Sequence, residues 1–162
     1  MLVRSHRNAD IPDISRLYYD TIHRVNCGDY SDEQLDAWAP GIPDTAFWME
    51  RFNRYRVYVA ESDGCILGFT ELDDSGHIDC FFVHHAWQRR GVGTLLMERV
   101  VETAGRSGIP RLFAEVSITA RPFFRRHGFL VVREQEALRR NVTLKQFAME
   151  RWLETAPMNP AR

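Results

Sequence analysis

The chain has 162 residues, with 21 basic and 22 acidic side chains, a formal net charge of -1, and 44% hydrophobic and 27% charged residues. This mixture excludes collagen-like, coiled-coil and disordered chains, offers no apolar run long enough to span a membrane, and argues against a dedicated nucleic-acid binder. The length fits one domain, burying about 70% of the surface exposed by the unfolded chain.

The first ten residues, MLVRSHRNAD, lack the apolar stretch of a secretory signal, so a cytoplasmic protein is expected. Residues 2–6 are a short strand candidate. Asp10 is placed as N-cap of a helix reaching about Val25, on which Ile11, Ile14, Leu17, Tyr18 and Ile22 recur at helical spacing. Ser31 and Gln34 form a capping-box signature that opens a short helix through Trp38. Pro40, Gly41 and Pro43 end it, and Asp44 caps another short helix carrying Phe47, Trp48 and Phe52.

The period then changes. Arg56 to Ser62 alternates, Asp63-Gly64 is a hairpin turn, Cys65 to Leu72 is the return strand, and a turn at Asp73 to Gly76 leads into His77 to Val83. This is an antiparallel meander. A helix from about Gly91 to Arg106 follows, with Leu95, Leu96, Val100, Val101 and Ala104 as its buried stripe and Gly108-Ile109-Pro110 as its stop. Arg111 to Ser117 is a strand, Thr119 caps a short helix through His127, and Gly128 stands at its C′ position. Phe129 to Ala137 and Thr143 to Trp152 close the domain as an antiparallel pair. One helix joins strands 77–83 and 111–117, so a right-handed crossover makes them parallel neighbours. The fold class is α/β in the α+β sense: a mostly antiparallel mixed sheet with a central parallel pair and flanking helices. Residues 1–153 form the single domain and 154–162 a tail.

Cys27, Cys65 and Cys80 are widely spaced and odd in number, without zinc-finger intervals, and are read as buried free thiols. His84 and His85 are consecutive in an extended segment, where side chains point to opposite faces, so no metal site is expected of them. Between a strand and the long helix lies Gln88-Arg89-Arg90-Gly91-Val92-Gly93-Thr94. Its glycines let backbone approach a ligand, the first-turn amides are unsatisfied donors, and the helix dipole favours an anion. This suits a pyrophosphate. A P-loop is excluded by the missing Lys, and a Rossmann fingerprint by Leu96 in place of its third glycine.

The run QRRGVG resembles the Q/R-x-x-G-x-G/A signature of the GNAT acyltransferase superfamily. Farther on, Ser117, Ala120, Phe123, Phe124, Gly128 and Phe129 are similar to that family's second motif, and the element order is also similar from residue 1 to about 153. The resemblance implies a GNAT fold and acetyl-coenzyme A as cosubstrate, with no metal. It implies that the backbone of Phe81, Phe82 and Val83 holds the pantetheine arm and that the Val83 amide faces the thioester carbonyl. Gln88, Arg89, Arg90, Gly91, Val92, Gly93 and Thr94 would hold the pyrophosphate, with Ser117, Ala120, Phe123 and Phe124 beside the arm. Arg89, Arg90, Arg121, Arg125 and Arg126 flank the motifs as phosphate partners.

The implied chemistry is attack of an amine on the thioester, which needs a base. Period two along residues 77–83 puts His77, Asp79, Phe81 and Val83 on one face, so Asp79 and His77 are candidates, with Glu115 a third. Phe124 stands where many members carry a Tyr acid, leaving the acid unassigned, with Tyr30 as an alternative. The acceptor side maps to residues 26–40, holding Asp29, Asp32, Glu33 and Asp36 with Tyr30 and Trp38, plus the turn at 139–143. The acceptor is an amine-bearing small molecule, a protein N-terminus or a lysine. No nucleic acid or membrane partner is expected, and a homodimer is compatible. A non-catalytic acyl-coenzyme A sensor is the alternative, and a domain for another nucleotide a third.

Overall fold

In the computed structural model, which describes residues 1–154, the antiparallel meander forms as the alternation predicts. The tail expected at 154–162 lies, from residue 155 on, outside the described residues. Strands β1 (Leu2–Ser5), β2 (Arg56–Ser62), β3 (Cys65–Leu72) and β4 (Ile78–Val83) lie side by side in that order, each pair antiparallel. Helices α1 (Ile11–Val25) and α3 (Thr45–Phe52) cover one face, where Ile11, Ile14, Leu17 and Trp48 pack on Val57, Val59, Phe69 and Cys80. Helix α4 (Val92–Arg106) covers the other, its Val92 and Leu96 meeting Ala60 and Leu67.

The second sheet holds β5 (Arg111–Ser117), β6 (Leu130–Arg139) and β7 (Val142–Trp152), with β7 in the middle and antiparallel to both. Met97, Val100 and Ala104 of α4 pack beneath it on Leu112, Ala114 and Val116, joined by Phe124 of α5 (Arg121–Arg126) and Phe147 of β7. Helix α2 (Asp32–Trp38) ties to β7 through Gln34, whose amide donates to the Thr143 carbonyl at 2.9 Å. The expected central parallel pair contracts to one bridge, His77 with Phe113. Gly76 permits that approach: its φ is +93°, and a Cβ there would collide with the Arg111 carbonyl. Beyond the bridge β4 and β5 share no ladder. Tyr30 holds the far end of β5 against β7 instead, donating to the Lys145 carbonyl (2.7 Å) and accepting from the Ile118 amide (2.9 Å).

Several local expectations give way to competing contacts. Asp10 precedes α1 but does not cap it; its carboxylate accepts from the Arg7 amide at 2.7 Å and pairs with Arg4 at 2.8 Å, closing the preceding 3₁₀ turn. Ala120, not Thr119, precedes α5, because the Thr119 hydroxyl donates to Asp29 at 2.8 Å while Ser117 Oγ accepts the Ala120 amide at 3.0 Å. The buried face of α4 runs through Val92, Leu96, Met97, Val100 and Ala104, with Leu95 and Val101 half-buried at its margins. All three cysteines are free, but Cys27 and Cys65 are exposed and only Cys80 is buried. His84 and His85 do not point to opposite faces. β4 ends at Val83 and a 3₁₀ turn begins, so their rings stack with centroids 4.3 Å apart.

Candidate active site

Leu72 faces Ile78 while Thr70 faces Phe81, so β4 carries one residue more than β3 across this stretch. Such a bulge reverses the alternation of side chains. Ile78, Phe81 and Val83 therefore pack on the α4 side, and Cys80 and Phe82 on the α1 side. The expected common face of His77, Asp79, Phe81 and Val83 is thus broken. The His84 amide donates to the Leu67 carbonyl at 2.8 Å, which sets the phase of the ladder. With antiparallel alternation, Phe82 exchanges its backbone bonds with Phe69. Phe81 and Val83 turn theirs toward the gap beside β5. Only these two of the three expected backbones face that gap, and the Val83 carbonyl already accepts from Thr21 (3.1 Å) and Gln88 (2.7 Å).

The gap opens into a cavity of about 540 Å³ lined by Phe81, Val83, Gln88, Gly91, Gly93, Ser117 and Phe123, among others. Gly91 precedes α4 with φ +85°, and the Leu95 amide is the first to bond back into the helix, to the Gly91 carbonyl. The amides of Val92, Gly93 and Thr94 are therefore free of intrahelical partners. Gly93 packs closely on α5: a Cβ there would lie 2.9 Å from the Phe123 ring, so the ring would have to shift. Arg89 and Arg126 border the cavity, whereas Arg90 lies over Trp87 (5.2 Å) and Arg121 over Phe147 (4.4 Å). Arg125 is exposed and borders neither this cavity nor the next. Among the described residues none of these five arginines is in an ion pair. Phe124 is buried against Phe81, Phe123 and Phe129 and offers no proton.

A second cavity, of about 630 Å³, shares Trp38, Asp79, Phe82, Glu115 and Ser117 with the first. Tyr18, Phe47, Trp48 and Arg51 wall it on the helical side, and Ala137, Arg139, Leu144 and Gln146 of the β6–β7 hairpin on the other. The sequence placed Tyr18, Phe47 and Trp48 in structural faces and did not single out Arg51. From the acidic stretch only Tyr30 and Trp38 reach this cavity; Asp32, Glu33 and Asp36 do not, and Asp29 holds Thr119. The Tyr30 hydroxyl is fully engaged by the two backbone bonds that tie β5 to β7. A signal for Arg51 did exist: Glu71, in the apolar strand CILGFTEL, is 0% exposed and so requires a cation.

Arg51 meets that requirement, with Nε and Nη2 on the Glu71 carboxylate at 2.7–2.9 Å, and its Nη2 also holds Asp79. Beside it, His77 Nε2 bonds Glu115 Oε2 at 2.6 Å while the imidazole stacks on Phe113. This bond raises the His77 pKa above its ordinary 6.5 and lowers that of Glu115 below 4.5. Ligating atoms of His77, Asp79 and Glu115 lie within 4.8 Å of one another. A metal would fit that spacing only by displacing the contacts already made to Glu115 and Arg51. Burial pushes the Tyr18 hydroxyl pKa upward, so it stays protonated.

Residues 26–151 match the family described as acetyltransferase (GNAT) domain. The chain is 28% identical over 147 residues to the uncharacterized N-acetyltransferase YafP of Escherichia coli, covering 91% of this chain and 93% of that one. A solved GCN5-related N-acetyltransferase from Rhodopseudomonas palustris superposes with a TM-score of 0.88 at 27% identity, over 93% of this chain and 94% of that one. The PaiA N-acetyltransferase of Thermoplasma acidophilum, solved in complex with coenzyme A, shares the fold with a TM-score of 0.78 at 16% identity, over 93% and 98% of the two chains.

Proposed function

Because the chain belongs to the GNAT acetyltransferase family, and is therefore an acyltransferase, we propose that it transfers an acetyl group from acetyl-coenzyme A to a primary amine by direct attack in a ternary complex. The observation that carries this is the meeting of two cavities at Asp79, Glu115, Ser117, Trp38 and Phe82, one suited to each substrate. The similar Thermoplasma protein binds coenzyme A, which supports assigning the first cavity to the donor.

Phe81 and Val83 would receive the pantetheine arm as an added strand, with Ser117, Ala120, Phe123 and Phe124 along its other side. The free amides of Val92, Gly93 and Thr94, with Gln88, Arg89 and Gly91, would hold the pyrophosphate. The Val83 amide would stabilise the oxyanion that forms as the amine adds to the thioester. His77 is the base, with Glu115 fixing its orientation and stabilising the imidazolium. Arg51 is a positioning residue that holds Asp79 beside the incoming ammonium. His77 takes one proton from the ammonium and the amine nitrogen bonds the carbonyl carbon. The C–S bond then breaks, and the second nitrogen proton passes to the departing thiolate or to solvent. A thiolate with a pKa of about 8.5 leaves near neutral pH without a dedicated acid, so Phe124 is compatible with turnover.

Phe124 also supports a second reading, a non-catalytic acyl-coenzyme A sensor. Incubation with acetyl-coenzyme A and a panel of amines, with thiol release followed, separates the two. Turnover is expected. Coenzyme A binding without thiol release across the panel favours the sensor, and absence of any thermal shift with coenzyme A overturns both readings.

A further inference from the structure

We propose that the acceptor is an amino acid, a primary amine that also carries a carboxylate, with Arg139 holding the carboxylate while the amine sits at His77, Asp79 and Glu115. This rests on the transferase reading above and names its substrate class.

The charges lining the acceptor cavity are unequally engaged. Arg51 is taken up by Glu71 and Asp79, and His77 by Glu115. Lys145 borders the cavity, but its ammonium pairs with Glu134 at 2.9 Å and lies over the Phe147 ring. Glu134 pairs with Phe147 and Glu136 with Lys145 across the hairpin, so these side chains share the face opposite Ala137 and Leu144. Arg139 remains. It lines the cavity, is exposed, has no carboxylate partner among the described residues, and its guanidinium donates to the Leu138 carbonyl at 3.3 Å. Its charge bears on Glu115 and on the Tyr18 hydroxyl across the cavity.

The turn that carries Arg139 is held in place. Arg140 and Asn141 both take positive φ, and the Arg140 guanidinium donates to the Ala37 carbonyl of α2 at 2.6 Å. Arg139 therefore stands next to an anchored turn. The cavity thus has an acidic pole at the β4–β5 bridge, a cationic pole at the hairpin turn, and the rings of Tyr18, Trp38 and Phe82 as further walls. A zwitterion with an apolar side chain satisfies all three. A polyamine would set a second cation against Arg139, and an amino sugar would leave it without an anion.

The test compares kcat/KM for amino acids and their decarboxylated counterparts: phenylalanine with phenethylamine, tryptophan with tryptamine, leucine with isopentylamine. At least one acid is expected to exceed its amine by about tenfold or more, since hydrogen bonds to charged groups are the strong ones. Arg139→Gln should collapse that ratio by raising KM for the acid, and Arg139→Lys should restore part of it. Equal use of acids and amines by the wild type, or an acid-to-amine ratio unmoved by Arg139→Gln, overturns the proposal. Absence of thiol release from every amine, with coenzyme A still bound, overturns the transferase reading and the proposal with it.

Discussion

Gly93→Ala tests the donor cavity by packing, with no change of charge. The added Cβ would lie 2.9 Å from Cε2 and 3.2 Å from Cζ of Phe123, so the ring must move. Phe123 is wedged among Phe81, Phe124 and His127, and overpacking of this kind costs about 1–3 kcal/mol. Alanine's better helix propensity returns at most about 1 kcal/mol, and less in a first turn. Two limits follow. If the neighbours do not yield, the apo protein loses the full amount in stability. If the ring escapes into the donor cavity, apo stability is nearly kept, but coenzyme A must push the ring back and binds about 5- to 150-fold more weakly. The sum of the two losses is the conserved quantity. Gly91→Ala is the control: its φ of +85° costs an L-residue about 1–2 kcal/mol, with no neighbour within 4 Å of the new Cβ. Denaturant unfolding with coenzyme A titration calorimetry measures both terms. A Gly93→Ala variant that matches wild type in both would refute the packing of Phe123 against α4.

The remaining tests address the polar centre. Arg51→Met leaves Glu71 buried without its cation and should destabilise the fold by about 3–5 kcal/mol in denaturant unfolding, whereas Arg51→Met with Glu71→Met should recover most of that loss. Tyr30→Phe should lower Tm, because it strands the Ile118 amide at a cost of about 1–3 kcal/mol, while kcat at a permissive temperature changes little; a large loss of kcat would reinstate Tyr30 as an acid. With His77 as base, kcat/KM rises with pH through a limb above 6.5, and Glu115→Gln moves that limb to lower pH by removing what raised it; a limb that stays in place refutes His77. In stability the His77 contribution is present below 6.5 and lost as pH rises through its raised pKa. The Glu115 contribution is present above 4.5 and lost as pH falls through its lowered one, so Glu115→Gln should reduce Tm most between those values.

Local chemistry made much of this fold legible. Ser31 and Gln34 form the capping box, Asp44 caps α3, and Asp63-Gly64 makes the hairpin turn, because each needs only residues a few positions apart. The misplacements at Asp10 and Thr119 share a cause: a short polar side chain near a helix start was claimed by a partner farther away, Arg4 in one case and Asp29 in the other. The bulge in β4 left no local mark, since HIDCFFV alternates acceptably in either phase and the partner strand decides. That one residue separates the base candidates from Phe81 and Val83. The acceptor cavity was least legible, because α3 and the inner face of the β6–β7 hairpin lie far apart in sequence and meet only through the tertiary fold.

Of the 21 basic residues 20 are Arg and one, Lys145, is Lys, and the arginines divide by environment. Arg4 and Arg51 each hold two carboxylates, contacts for which a planar five-donor group is suited and a lysine ammonium is not. Arg90 and Arg121 sit over aromatic rings, a contact for which a guanidinium is better suited than an ammonium. Among the described residues, removing such engaged arginines leaves Arg89, Arg126 and Arg139 as guanidinium groups without an ion-pair partner bordering the two cavities. The first two face the proposed phosphates and the third the proposed carboxylate. A net charge of -1 is therefore the residue of many internal pairings and says little about ligands. What selects an anion is the small set of cations that the fold leaves without partners beside a cavity.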